Sequence, residues 1–303
     1  MRITLNMLTD NVLSNLMANT ERLLEAQDKV SSGKRIHRPS DDVPGIGRSL
    51  SLRSGIASLE QFDRNSNIAA HQLAVTSSAL DAIVKALESV RTLAVGAASS
   101  VLTDEARAGI VSQLGRIKEE LESIGNTQYL GKYIFSGSLS STKPFVETGG
   151  DPPYSYQGDS LQFTVQIGSG IYIPASVTGD KLFNMGSSAV PGMPDVFAMI
   201  KSLTDNVIAG DVTTISNQLT EIDANLHNVI GIRSQVGGWL NRLESTNEVL
   251  LNSKVKIMDL LSKVEDVDLA EAVVELRTRE NVYQAAIASA SRVLQISLAD
   301  FLG

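Results

Sequence analysis

The sequence predicts a mainly α protein: a long-helix, coiled-coil-like bundle formed by the N- and C-terminal halves, with a small inserted β domain. Three observations carry this. Apolar residues recur at alternating spacings of four and three over most of residues 46–124 and 236–301. In the middle of the chain Leu161, Phe163, Val165 and Ile167 instead alternate with Gln162, Thr164 and Gln166, the period of a half-buried strand. Most of the prolines and many aromatics are gathered there too, between about Tyr133 and Pro194.

The first helix runs to about Gly33. Leu16, Leu23 and Val30 fall seven apart, with Leu5, Leu8, Val12 and Leu13 upstream, although Asn15, Asn19 and Thr20 interrupt the seam. Ser31-Ser32-Gly33-Lys34 ends it, since glycine is free to turn left-handed. From Arg35 to Gly45 two prolines and a Ser/Asp cluster predict an ordered turn, with Ser40, Asp41 or Asp42 capping the next helix. That helix begins near Ile46 and carries Leu52, Ile56, Leu59, Ala70, Leu73, Leu80, Val84, Leu87 and Ala94 on one row. The stretch Gly96 to Thr103 breaks it. A third helix follows with Ile110, Leu114, Ile117, Leu121 and Ile124, closed by Gly125 and Asn126.

In the β segment, Gly168-Ser169-Gly170 turns the first strand into a second, Ile171 to Val177, which Pro174 marks as edge or bulged. Phe145-Val146 and Tyr154-Ser155-Tyr156 are further strand candidates. Helix returns from about Asp195 to Ala209. A long run then carries Val236, Leu240, Leu243, Leu250, Ile257, Leu261 and Val264, with Asn247 and Lys254 as polar seam residues that fix register. Across Glu265-Asp266-Val267-Asp268 the row slips by one, so this acidic step is a joint. Beyond it Leu269, Val273, Leu276, Tyr283, Ile287, Ala290, Leu294 and Phe301 form a last stripe, interrupted by Glu280 and Ser297. The expected organisation is thus 1–40, helix and turn; 41–135, helical; 136–192, β insert; 193–264, helical; and 265–303, terminal helix.

Chemistry is sparse. Without cysteine there is no disulfide, thiolate nucleophile or Cys-ligated metal, and a net charge of −8 argues against a nucleic-acid binder. The N-terminus lacks a charged-then-apolar signal pattern, and no apolar run is long enough to span a membrane. His37, His71 and His227 share no metal-ligand spacing. Gly33-Lys34 is no phosphate loop, because Asp28 and Arg35 stand where a glycine and a hydroxyl are required. Asp41 and Asp42 lie between prolines ahead of a helix, which makes them caps and turn formers rather than a carboxylate pair. Tyr154, Tyr156 and Tyr172 could form a sugar-binding platform, but aromatic strand residues in a small β unit more often build its core. No catalytic residue, cofactor or metal site is expected.

Several stretches carry a resemblance: Ser32-Gly33-Lys34-Arg35-Ile36 with Pro39-Ser40-Asp41-Asp42-Val43-Pro44-Gly45; Asn126-Thr127 with Gly131-Lys132-Tyr133-Ile134-Phe135-Ser136-Gly137 and Lys143-Pro144-Phe145; and, near the end, Asp266 to Ala272, Tyr283-Gln284-Ala285 and Ser297 to Leu302. Together they resemble one family, the bacterial flagellins and hook-associated protein 3. Pro39-Ser40 before the aspartates and the Ser-Leu-Ala-Asp-Phe-Leu tail are more similar to the second branch. Val43 interrupts the commoner Asp-Pro step, and Phe301 replaces the usual tyrosine.

The resemblance implies a non-enzymatic structural subunit of the bacterial flagellum. Its copies would form a ring at the hook–filament junction, between hook-associated protein 1 and flagellin. It also implies secretion through the flagellar type III apparatus, with an export chaperone on the C-terminal region and neither nucleic acid nor membrane as partner. Assembly would fall to Leu16, Leu23, Val30, Leu269, Val273, Leu276, Tyr283, Ile287, Leu294, Leu298 and Phe301, and the structural turn to Pro39, Ser40, Asp41, Asp42 and Gly45. The alternatives are a short flagellin that forms the filament itself, a sugar-binding or enzymatic β insert on a helical stalk, and a cytoplasmic coiled-coil adaptor.

Overall fold

Among the described residues, helix occupies both terminal parts and short strands the middle. The computed structural model describes residues 5–98, 102–150, 152–186 and 189–302. In order they form α1 (Leu5–Ser32), α2 (Val43–Ala97), α3 (Asp104–Gly125), β1 (Gln128–Tyr129), β2 (Lys132–Tyr133), β3 (Phe145–Glu147), β4 (Tyr154–Tyr156), β5 (Thr164–Gly168), β6 (Ile171–Pro174), α4 (Gly179–Leu182), α5 (Val196–Ala209), α6 (Val212–Glu265) and α7 (Leu269–Leu302). The chain divides into two compact units, one of Met1–Ser58 with Ser253–Gly303 and one of Leu59–Asn252.

In the Leu59–Asn252 unit, residues seven apart supply the core. Leu73, Leu80, Leu87 and Ala94 of α2 and Ile215, Ile222, Val229, Val236 and Leu243 of α6 are all buried. A seven-residue repeat keeps one stripe of a helix facing its neighbours along its whole length. Leu114 and Leu121 of α3 and Phe197, Ile200, Leu203 and Val207 of α5 complete it. Asn247 sits on the row as its spacing predicts and donates to Asn67 at 3.3 Å. Side chains cap two of the helices: Thr103 accepts from the Ala106 N–H at 3.3 Å to start α3, and Asp195 accepts from the Phe197 N–H at 2.7 Å to start α5.

The strands form three separate antiparallel ribbons, β1–β2, β3–β4 and β5–β6. The third was expected, as were the strands of the second though not their pairing. The first, too short for any periodicity, was not. Its tip is Leu130-Gly131, at φ +50° and +76°, the pair of left-handed residues that a tight hairpin turn needs. One expectation fails in detail. Leu161 and Phe163 do not share the buried face of Val165 and Ile167; β5 starts only at Thr164, and both are exposed. A lone two-stranded ribbon has one side to bury, and here Val165, Ile167 and Ile173 occupy it. The Phe163 backbone still pairs, accepting from the Ala175 N–H and donating to Ser176 Oγ, both at 2.8 Å.

Aromatic rings hold the insert to the helices. Phe145 lies 4.8 Å from Phe183 edge to face, and Tyr154 lies 4.4 Å from Phe197, centroid to centroid. Tyr154 is fully buried and donates to Glu122 Oε2 at 2.9 Å, so it serves the core and offers no face to a sugar. Gly125 ends α3 against this cluster, where a Cβ would stand 2.7 Å from the Phe145 ring. Gly125→Ala should therefore destabilise the protein by about 1–3 kcal/mol, the usual cost of overpacking. Chemical denaturation of the two proteins checks this; equal midpoints would contradict the packing described.

Candidate assembly site

All of the following geometry lies within the unit built from Met1–Ser58 and Ser253–Gly303. Helix α1 ends as glycine allows: Gly33 takes φ +69° and donates to Lys29 O at 3.0 Å. The turn that follows is built by its aspartates. Asp41 Oδ2 accepts from the N–H groups of His37 at 2.9 Å and Arg38 at 2.8 Å, which lowers its pKa. Asp42 Oδ1 caps α2 by accepting from the Gly45 N–H at 2.8 Å, while its Oδ2 accepts from Arg35 at 3.0 Å. Gly45 leaves room for this cap, because a Cβ there would run into the Asp42 carboxylate and stand 2.8 Å from Ile36 Cδ1. Pro39 and Ser40 are exposed at the bend.

The turn is then clasped to the joint between α6 and α7. Lys34 and Asp266 form an antiparallel bridge. The Arg35 N–H donates to Glu265 O at 2.6 Å, and the Val267 N–H donates to Gly33 O at 3.0 Å. Around this backbone knot is a charge cluster centred on Glu265, a buried residue. Arg53 grips it bidentately at 2.8 and 2.7 Å, Ser49 donates to Oε1, and Lys34 lies 3.3 Å from Oε2 and 2.6 Å from Asp266. Arg53 above all, then Ser49 and Lys34, hold the Glu265 carboxyl down to about 2 against the opposing effect of burial. On the far side Asp268 Oδ1 accepts from the Ala270 N–H at 2.9 Å and caps α7.

Beyond the clasp α1 and α7 pack as an antiparallel pair, pinned by Lys29–Glu275 at 3.2 Å. The α1 row is Leu16, Asn19, Leu23, Ala26 and Val30, and the α7 row is Ala272, Leu276, Arg279, Tyr283, Ala286 and Ala290; each is buried or half-buried. Burying alanines at Ala26, Ala272 and Ala290 lets the two backbones approach closely.

Of the residues expected in assembly, then, Leu16, Leu23, Val30, Leu276 and Tyr283 lie in or beside this internal seam. Leu269, Val273 and Ile287 do not: α1 covers a row rotated to one side of theirs, leaving them exposed, Leu269 by 56%. Leu294, Leu298 and Phe301 lie outside the described side chains. Helix α1 likewise leaves Leu13, Met17 and Leu24 exposed at heptad-like spacing. Sequence reasoning missed Ser49, Arg53 and the central place of Glu265. The signal available was a Ser and an Arg four apart, beside an apolar row, in a chain whose joint is acidic. Among the described residues no group of three His, Asp or Glu could hold a metal, and no helix is long and apolar enough to cross a membrane.

The clasp makes a pH-dependent prediction. Because the folded-state pKa of Glu265 lies below its ordinary 4.5, its stabilisation is complete above about pH 4.5 and is lost as pH falls through about 2. Discounted for the half-exposed Arg53, it is worth on the order of 2 kcal/mol. Wild type should lose that stability between pH 5 and 2, while Glu265→Gln should start lower and fall less over the same interval. Denaturation midpoints against pH check this, and parallel curves would contradict it.

Comparison with known proteins agrees with this geometry. The bacterial flagellin N-terminal helical region matches residues 3–140, and the bacterial flagellin C-terminal helical region matches residues 219–302. Flagellar hook-associated protein 3 of Escherichia coli is 23% identical, over 98% of both chains. Flagellin of Halalkalibacterium halodurans is 28% identical, also over 98% of both. Among solved structures, a putative flagellar hook-associated protein from Vibrio parahaemolyticus superposes with a TM-score of 0.66 at 22% identity, covering 75% of this chain and all of that one. Two helical regions from opposite ends of the chain, matched by family and locked together by a backbone bridge and a buried carboxylate, place it plainly: the chain belongs to the flagellin-like family of flagellar structural proteins.

Proposed function

We propose that this chain is the junction subunit of the bacterial flagellum, a structural protein that joins the hook side to the flagellin filament. The observation that carries the assembly mechanism is the second apolar row. The α1–α7 pair buries one face of each helix and leaves Leu13, Met17, Leu24, Leu269, Val273 and Ile287 in water. Ordering a residue costs about 1–2 kcal/mol of backbone entropy, while burying a Leu or Val fully returns about 1.5–3 kcal/mol. A two-helix pair with these apolar side chains exposed is therefore poorly stabilised alone and gains most when copies pack side by side. Pro39-Ser40 in the turn and the tail Ser297 to Leu302 favour the junction branch over a short flagellin.

In this reading segments 1–40 and 265–303 form the inner tube of a ring of copies, 41–135 and 193–264 form the surrounding helical layer, and 136–192 faces outward. Hook-associated protein 1 lies on one side of the ring and flagellin on the other. Before assembly the protein leaves the cell through the flagellar export apparatus, with a chaperone covering its C-terminal stripe.

Val273→Asp and Ile287→Asp test this, because both side chains are exposed in the single chain. Each variant should keep the wild-type denaturation midpoint within about 0.5 kcal/mol yet abolish motility and filament attachment. Full motility with either would contradict an inner-tube role. Fluorescently labelled protein should give one spot per hook end. A coated filament would instead support the short flagellin, and a diffuse cytoplasmic signal an adaptor.

A further inference from the structure

The Leu59–Asn252 unit carries an apolar cavity that the junction reading leaves unused. It measures about 290 Å³, and Ile68, Tyr129, Leu130, Lys132, Tyr133 and Phe163 are among the residues that line it. Three of these walls are large apolar side chains left largely exposed: Ile68, Phe163 and Leu130, the last at 83%. Leu130 holds φ +50°, a conformation that disfavours a large side chain, at the tip of the β1–β2 hairpin. The hairpin turn requires that conformation, and it presents a leucine to water in the isolated chain. Among the described residues, the Lys132 ammonium and the Tyr129 and Tyr133 hydroxyls at this cavity have no hydrogen-bond or ionic partner. Apolar walls with one free cation and two free hydroxyls suit an aliphatic side chain that has a carboxylate beside it.

The same unit displays that chemistry elsewhere. Ile208 is 63% exposed and sits one residue before α5 ends at Ala209. Asp205, three residues earlier and also exposed, shares its helix face. Gly210, at φ +73°, turns the chain directly after it, so Ile208 stands at a helix end. Leu251 also has an acidic neighbour, Glu248, one turn away, but it lies mid-helix in α6. The corner cannot reach the cavity of its own chain. Gly210 lies against Arg107 near the start of α3, just beyond the end of α2, whereas Ile68 is 27 residues before Val95 on α2, about 40 Å along a helix.

We propose that the Asp205–Ile208 corner of one copy docks into the Ile68–Leu130–Phe163 cavity of the next, with Asp205 facing Lys132. Two different patches of one surface meet in this contact, which is the head-to-tail type that closes a ring when its rotation permits. The inference rests on the junction reading, since it requires copies to be neighbours.

The absence of native cysteine makes the test direct. The full-length double variant Leu130→Cys with Ile208→Cys replaces the chromosomal gene, and flagella isolated from those cells are oxidised. A ladder of disulfide-linked dimers and higher species is expected. Either cysteine alone, or Leu130→Cys with Leu251→Cys, should give at most traces. Lys132→Glu in the double variant should cut the ladder at least fivefold, and adding Asp205→Lys should restore it. Immunoblotting the same flagella for the protein separates the two ideas. Protein present at the hook end without a ladder overturns the docking contact and leaves the junction reading intact. Protein absent from the flagellum overturns both. A ladder from the Leu251 pair that equals that of the Ile208 pair also overturns the proposed occupant.

Discussion

One buried carboxylate fixes how the two ends of this chain meet. Glu265 is the last residue of α6, and it is held by Arg53, Ser49 and Lys34, all from the N-terminal part of the chain. An unpaired carboxylate at that burial would be strongly destabilising, so the cluster exists only when turn and joint are assembled together. The backbone agrees with it: the Lys34–Asp266 bridge runs through the same few residues. From this point α1 and α7 leave as an antiparallel pair with a defined register. The clasp and the Lys29–Glu275 pair together set the register in which the described parts of these helices meet.

That placement divides the work of the terminal helices. Their inner rows close on each other, with the small residues concentrated on α7. Their outer rows remain apolar and uncovered, an arrangement that is costly for a solitary protein and useful for one whose copies stack. The two rows lie one or two residues apart in sequence, which is how a single helix serves both an internal and an external contact.

Long-range helical order was the most legible part of the sequence, because a row such as Leu73, Leu80 and Leu87 repeats often enough to outweigh its polar interruptions. Turn residues were legible for a different reason: Gly33 and Asp42 have few other uses between helices. The β1–β2 hairpin escaped because two-residue strands carry no period. Leu161 and Phe163 misled because alternation reports spacing, whereas burial depends on how many layers cover a ribbon. On α7 the row Leu269, Val273 and Ile287 was visible as apolar, yet periodicity alone does not say which of two adjacent rows a partner takes. Alanine is part of the reason: Ala272 and Ala286 look neutral in the sequence, yet they join Leu276, Tyr283 and Ala290 of the expected stripe in the internal seam. The Glu265 cluster is built from residues some two hundred positions apart, and its local signature was only the acidic joint and the Ser49–Arg53 spacing.

The central claim is that α1 and α7 are an assembly segment rather than a core element. Amide hydrogen exchange, followed on the monomer and on isolated flagella, addresses it most directly. The account predicts fast exchange along Leu269–Leu302 and the N-terminal half of α1 in the monomer, slower exchange near Lys34 and Glu265, and strong protection throughout once assembled. Strong protection of Leu269–Leu302 in the monomer, unchanged on assembly, would contradict it.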